Sequence, residues 1–377
     1  MRTKNNLVPI LFVLTALTIS RWAWAGRDEH RVLAPPGRNV DVVIALDVSS
    51  SMDGLVDSAR SRLWDMVNLL SKMKPRPTVR VGLISYGNDF YDSSRGWIRK
   101  ESELTSDLDL VYSKLFALTT NGGTEYVARA VRDATAQMNW TTDDRDLRLI
   151  FVAGNEPADQ DPEISLASAL HDAERKGILV NTIYCGSASN SESALWHQVA
   201  ERGHGKYAAI DQNHVVTIAT PMDQELGRLS SALNDTYLAY GDDGENRKRL
   251  QEEQDKNAAH MSAPAAAART VAKGGALYRN DSWDVVDALK NGKSLDDLRA
   301  ALPAPIQAMK PAEQKAYVEK RSVERARLQK QISEVASKRE GFLRAEKAKR
   351  STAAPADLND ALDGALRDAA TAKGFAF

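Results

Sequence analysis

Apolar positions along this chain follow two rhythms. Short continuous runs rich in Val and Ile alternate with longer stretches in which apolar residues recur every three or four positions. The first run, Asp41-Val42-Val43-Ile44-Ala45-Leu46, stops at Asp47 and a cluster of hydroxyls, Ser49, Ser50 and Ser51. Continuous apolarity of that length suits a strand buried on both faces, as in a parallel sheet. After Met52, Asp53 and Gly54 the rhythm becomes helical, through Leu55, Ala59, Leu63, Met66, Leu69 and Leu70, and Pro75 and Pro77 end that helix. Residues 78–86 predict a second core strand, 97–104 a short edge strand, 108–118 a helix and 127–134 another. Further core strands are expected at 147–154, 178–184 and 206–210. The helices between them start at Asp161-Pro162 and at a capping box of Ser189 with Glu192, and a closing helix spans 223–238. Strands alternating with helices predict βαβ units, hence a Rossmann-like α/β domain with a mostly parallel central sheet flanked by helices.

Past Gly241 the pattern changes. Residues 242–256 are densely charged and 263–268 are nearly all Ala, so 242–280 reads as a charged, Ala-rich linker or a partly packed helix. Residues 281–289 start a short helix, and Ser294 with Asp297 caps the next. Residues 312–349 predict one long helix. Val318, Leu328, Ile332, Val335 and Phe342 form a seam on it, which Arg321, Arg325 and Arg339 interrupt. A solvated helix resting on the shorter ones is expected, ahead of a self-associating coiled coil. Leu358, Leu362 and Leu366 give the end of the chain a weak amphipathic spacing. The division is therefore a leader at 1–25, a mobile lead-in at 26–38, an α/β domain at 39–241, a linker at 242–280 and an α-helical C-terminal region at 281–377.

The leader follows from Arg2 and Lys4, an apolar core at 7–19 and the small-x-small triplet Ala23-Trp24-Ala25. It predicts an exported protein, periplasmic or secreted, with no stable membrane anchor once the leader is cleaved. The balanced charge, -1 over 377 residues, offers no field to steer the chain to nucleic acid. The lone Cys185 forms no internal disulfide and reads as a small buried hydrophobe. The six histidines lack zinc-ligand spacing, and no Gly-x-Ser-x-Gly elbow is present. No enzyme is expected.

The chemistry lies at the end of the first strand. Asp47, Ser49 and Ser51 alternate as Asp-x-Ser-x-Ser and offer hard oxygen donors of the kind Mg²⁺ takes. The same residues would also cap the following helix, and the stretch alone leaves both readings open. A second loop, Thr119-Thr120-Asn121-Gly122-Gly123-Thr124-Glu125, precedes another helix and adds the Thr124 hydroxyl. The two motifs together resemble the von Willebrand factor A domain family, over about residues 39–241. That resemblance implies a metal-ion-dependent adhesion site (MIDAS) in which Asp47, Ser49, Ser51 and Thr124 hold Mg²⁺ or Mn²⁺. The family pattern also puts an Asp at the end of the fourth core strand, where this chain has Gly154. Glu156 through a water, or Asn155 through its carbonyl, would have to replace it. One acid fewer implies weaker metal binding or a vestigial site. The function implied is non-enzymatic: a protein-binding, adhesion-type module that takes a partner's carboxylate on the metal. The alternative is a metal-independent scaffold whose C-terminal helices recognise the partner.

Overall fold

The structure, a computed structural model, describes residues 37–212, 217–349 and 358–377. The expected leader and most of the lead-in lie outside the described residues. The α/β portion runs β1 (Asn39–Asp47), α1 (Asp53–Leu70), β2 (Thr78–Tyr86), β3 (Ile98–Thr105), α2 (Leu108–Phe116), α3 (Val127–Gln137), β4 (Leu147–Gly154), α4 (Leu166–Arg175), β5 (Leu179–Cys185), α5 (Ser193–Arg202), β6 (His204–Ile210) and α6 (Asp223–Asn234). The six strands form one sheet in the order β3-β2-β1-β4-β5-β6, parallel except for the antiparallel edge strand β3. The chain leaves β1 for β2 on one side and reaches β4 on the other. The carboxyl end of β1 is therefore the switch point at which open α/β sheets form a crevice.

Both faces of the sheet are covered, which is why its strands read as unbroken apolar runs. Val42, Leu46, Leu83 and Phe151 face α1 and α2, while Val43, Ala45, Ile84, Ile150 and Val152 face α3, α4 and α5. The successive residues Val42 and Val43 go to opposite faces, as the two-residue strand period requires.

Several helix boundaries differ from the sequence expectation; α6, for example, ends at Asn234 and not at Leu238. α1 ends at Leu70, before either proline, where the Ser71 hydroxyl donates to the Asn68 carbonyl at 2.7 Å. α4 starts at Leu166 and not at Asp161; Ser165 caps it through the Ser168 amide. Asp161 is occupied otherwise, in a two-bond pair with Arg129 at 2.8 Å each. α5 starts after Glu192 without a side-chain cap, because Ser189 bonds Ser187 and Glu192 bonds Ser191.

Residues 242–280 are not an extended connection. They form α7 (Gly244–Met261) and α8 (Ala263–Gly274), with Ser262 capping the second. Buried ion pairs replace the apolar area these helices lack. Arg269 is 1% exposed; it donates to Asp109 of α2 at 2.7 Å, to Asp255 of α7 and to the Gln251 carbonyl, and its guanidinium lies 4.7 Å over the ring of Trp64 of α1. Lys273, also buried, reaches Asp255 at 2.6 Å and Asn234 of α6.

Beyond them lie α9 (Val285–Lys290), α10 (Leu295–Leu298), α11 (Ala304–Gln307), the long α12 (Pro311–Ala348) and α13 (Leu358–Ala372). The expected helix at 281–289 begins later because Asp284 is its cap, and the expected Ser294–Asp297 capping box is present. α12 rests along one face on α6, α8 and α9 with most of its other side chains exposed or half-buried, but its arginines do not merely interrupt the seam. Two of the arginines that interrupt its apolar seam are the residues that dock it. Arg325 is fully buried and donates to Asp284, to Asp287 at 2.9 Å and to the Thr236 carbonyl at 2.6 Å. Arg339 donates to Asp223 at 2.9 Å. A guanidinium whose donors are matched can occupy a buried position that sequence patterning assigns to Leu.

α13 returns to the α/β portion. Leu358, Leu362 and Leu366 join the core that β1, β4 and α1 build, and Phe375 closes it. Arg38, just before β1, lies 4.0 Å over the Phe375 ring and donates to the Lys373 carbonyl, while Lys74 and Ala376 exchange backbone hydrogen bonds. Among the described residues no helix is long and apolar enough to cross a membrane.

Candidate metal centre

β1 delivers Asp47 to the crevice, and the chain turns there because Asp47 Oδ1 accepts from the Ser49 amide at 2.8 Å. Asp47 is fully buried and Ser49 nearly so. The Ser49 and Ser51 hydroxyls stand 3.4 Å apart. None of the three caps α1, whose start at Met52 carries no side-chain bond. The helix-cap reading of the motif therefore falls away, and its oxygens are left for other use.

The second loop lies directly against the first. The Ser50 amide donates to the Gly122 carbonyl at 3.1 Å and the Asn121 amide to the Val48 carbonyl at 3.0 Å. These bonds fix the loop that carries Thr124, which is half-buried. Just past β4, Asn155 Nδ2 points at the Ser51 hydroxyl at 3.4 Å. Glu156 bears on the site by its charge, while its carbonyl accepts from the Trp196 indole at 2.8 Å.

Residues that sequence reasoning passed over complete the surroundings. Glu125 is buried beside Asp47 and Ser49. The available signal was adjacency, since Glu125 directly follows Thr124. Gly87 has φ +86°, and a Cβ there would stand 2.9 Å from Asp47 Oδ1, 3.0 Å from Glu125 Cγ and 3.6 Å from Ser49 Cβ. Tyr86 pairs with Asp47 across β1 and β2 and donates to the Ala153 carbonyl at 2.8 Å. A Cβ on Gly154 would stand 2.7 Å from the Tyr86 hydroxyl and 3.0 Å from Asp47 Oδ2. The space an Asp would need on β4 is taken by a tyrosine from β2.

The electrostatics are those of a site short of positive charge. Burial first, and then the charges of Glu125 and Glu156, raise the Asp47 carboxyl to about 7 against the pull of the Ser49 amide. Glu125 is raised too, by burial first and then by Glu156. Asp47 Oδ2, Asn155 Oδ1 and Gln212 Oε1 are buried with no hydrogen-bond donor. An unmatched buried acceptor is costly, on the order of 1–3 kcal/mol. Among the described residues no three His, Cys, Asp or Glu side chains are grouped closely enough to hold a metal by themselves. The donor set here instead mixes carboxylate, hydroxyls and an amide. Those hard oxygens fit Mg²⁺ or Mn²⁺ and do not fit a soft metal.

Cys185 is buried at the end of β5, and burial, then the charge of Asp47, raises its thiol above the usual range.

Residues 41–224 match the von Willebrand factor type A domain family. No curated protein matches the chain. Among solved structures, the chain is similar to a von Willebrand factor type A protein from Catenulispora acidiphila, at 17% identity over 46% of this chain and 39% of that one, with a TM-score of 0.37. It is similar to the SpRpn10 VWA domain at 15% identity over 48% of this chain and 100% of that one, with a TM-score of 0.35. It is also similar to proximal thread matrix protein 1 from the mussel byssus at 13% identity over 46% of this chain, with a TM-score of 0.35. The chain spans 42% of the length of that mussel protein. Likenesses of this extent carry no functional argument. The sheet order, its one antiparallel edge and the matched segment agree: residues 41–224 form a von Willebrand factor type A domain.

Proposed function

We propose that this protein is a non-enzymatic protein-binding module of adhesion type, exported to the cell envelope, that takes a partner's carboxylate through a divalent cation of Mg²⁺ type. Asp47, Ser49, Ser51 and Thr124 would hold the cation, with Asn155 through its carbonyl or Glu156 through a water. Bound there, the cation supplies positive charge at a coordination position open to an incoming carboxylate. The residues of the chain do the rest. Asp47 neutralises part of that charge, the hydroxyls hold it without neutralising it, and the surrounding core keeps the Asp47 carboxylate out of water.

The observation that carries this reading is the fully buried Asp47, whose Oδ2 has no hydrogen-bond donor, in a turn that also carries the Ser49 and Ser51 hydroxyls. Phe90 supports the protein-binding part. It is 82% exposed, follows Asp89 at the edge of the Gly122 loop, and is held in place by the Asn88 turn, with the Asn88 side chain bonded to the Thr119 carbonyl at 2.8 Å. An ordered, exposed aromatic beside a charged site is the composition of a binding rim. Recognition by the C-terminal helices has less support, because Arg325 and Arg339 of α12 are committed to internal pairs.

The test is titration of Mn²⁺ into the full chain, followed by the paramagnetic resonance of the free ion, beside Asp47→Ala. Saturable one-site binding that Asp47→Ala abolishes is expected. Acetate added to the loaded protein should then reduce the water-proton relaxation of the bound ion, as a carboxylate replaces a water. Equal binding by wild type and Asp47→Ala, or none by either, overturns the reading.

A further inference from the structure

We infer that Glu125 supplies the second carboxylate of the metal centre, from the loop after Thr124 in place of the strand-end Asp that Gly154 lacks. The inference rests on the metal reading proposed above and adds to it a ligand that the motif does not contain.

Four observations converge. Glu125 is only 3% exposed, although Asn121 to Thr124 before it are half-buried or exposed. Among the described residues it has no Lys, Arg or His within ion-pair distance, so its burial has no cation from the protein to match it. A buried, unpaired carboxylate is among the most costly groups to keep in a fold, and it persists where a cation is to be held. Second, Glu125 stands beside Asp47. Asp47 Oδ1 and Glu125 Cγ both come within 3.0 Å of the point that a Cβ on Gly87 would occupy, and Ser49 lies against both. Third, the other oxygen of the fully buried Asp47, Oδ2, has no donor, so the carboxylate that Glu125 stands beside contains an acceptor without a partner. Fourth, β4 cannot supply the second acid. The Tyr86 hydroxyl lies 2.7 Å from where a side chain on Gly154 would begin.

The chemistry explains why the position matters. Affinity for a hard divalent cation rises with the number of charged oxygen ligands. A site with Asp47 alone sets a single charged ligand among neutral hydroxyls. A second carboxylate strengthens the hold on the ion and, by neutralising it further, weakens its pull on an external carboxylate. Glu125 therefore sets the balance between keeping the metal and capturing the partner.

The experiment compares Mn²⁺ affinity of the full chain with that of Glu125→Gln, Glu125→Asp, Glu156→Gln and Asp47→Ala, with thermal unfolding in chelator to show that each variant is folded. The expected result is that Asp47→Ala abolishes binding and Glu125→Gln weakens it at least tenfold. Glu156→Gln, whose carboxylate would act only through a water, should weaken binding less than Glu125→Gln, and Glu125→Asp should recover part of the loss. Per bound ion, Glu125→Gln should show a larger acetate effect than wild type, which a purely structural role would not produce. If wild type and Glu125→Gln bind alike while Asp47→Ala does not, the metal reading stands and the role of Glu125 is overturned. That role is equally overturned if Glu156→Gln weakens binding more than Glu125→Gln does. If wild type binds no Mn²⁺, the metal reading fails and this inference fails with it.

Discussion

The Tyr86 hydroxyl and the α-carbon of Gly154 exclude any side chain between them, since a Cβ on Gly154 would lie 2.7 Å from that oxygen. The two positions form a matched pair. Gly154→Asp alone should overpack the site and lower stability by about 1–3 kcal/mol. Combined with Tyr86→Phe, which removes the obstructing oxygen, the same substitution should be better tolerated and should tighten Mn²⁺ binding. Urea unfolding and Mn²⁺ titration of the single and double variants check this. A double variant no more stable than Gly154→Asp would show that the obstruction lies elsewhere.

Arg325 and Asp284 are both fully buried and bonded to each other. Arg325→Leu should leave the buried Asp284 carboxylate without its cation and cost about 3–5 kcal/mol. Arg321, half-buried on the same helix and bonded among the described residues to the Tyr317 hydroxyl, should cost under about 1 kcal/mol when replaced by Ala. Urea midpoints of the two variants test the contrast, and equal losses would remove Arg325 from its docking role.

Acid should weaken the attachment of α7 and α8. Burial alone would raise the Asp255 carboxyl, but the charges of Arg269 and Lys273 outweigh it and hold the group at about 2. Its folded value is below the unfolded one, so its contribution is fully present above about pH 4 and is lost as pH falls toward 2. That contribution is about 2 kcal/mol. The stability gap between wild type and Asp255→Asn should narrow by about this amount from pH 4 to pH 2. A gap that stays constant across that range contradicts the linkage.

Leu366 is fully buried in the core shared by α1 and the sheet. Leu366→Ala should destabilise the α/β portion by about 2–5 kcal/mol. The loss should appear in the near-ultraviolet dichroism of Trp64 and Trp196 as well as in helix content. Melting of helix content alone, with the tryptophan signals retained, would show that α13 is dispensable to the sheet.

The sheet was legible because its strands are buried on both faces, so apolar runs such as Val42 to Leu46 stand out without any partner in view. The turn after Asp47 was legible because Asp-x-Ser-x-Ser is contiguous. What escaped were relationships between distant positions. Nothing local marks Tyr86 as the occupant of the space beside Gly154, or Gly87 as the point where Asp47 and Glu125 meet. The C-terminal region misled for a different reason. Apolar patterning treats arginine as a surface residue, yet Arg269, Arg325 and Arg339 are core residues here, with carboxylates from other helices that no spacing rule anticipates. Residues 242–280 looked like a connection because their burial runs on charge pairs and alanine.

The docking of α13 also constrains when the molecule can finish folding. The sheet core that β1 begins is completed by Leu358, Leu362, Leu366 and Phe375, at the far end of the chain. A chain emerging in order from its N-terminal end therefore carries an uncovered apolar strip on its first strands until residues 358–377 have been made. Contacts of such long separation form slowly and leave partly built chains exposed to association. The α/β core therefore cannot close before residues 358–377 have been made.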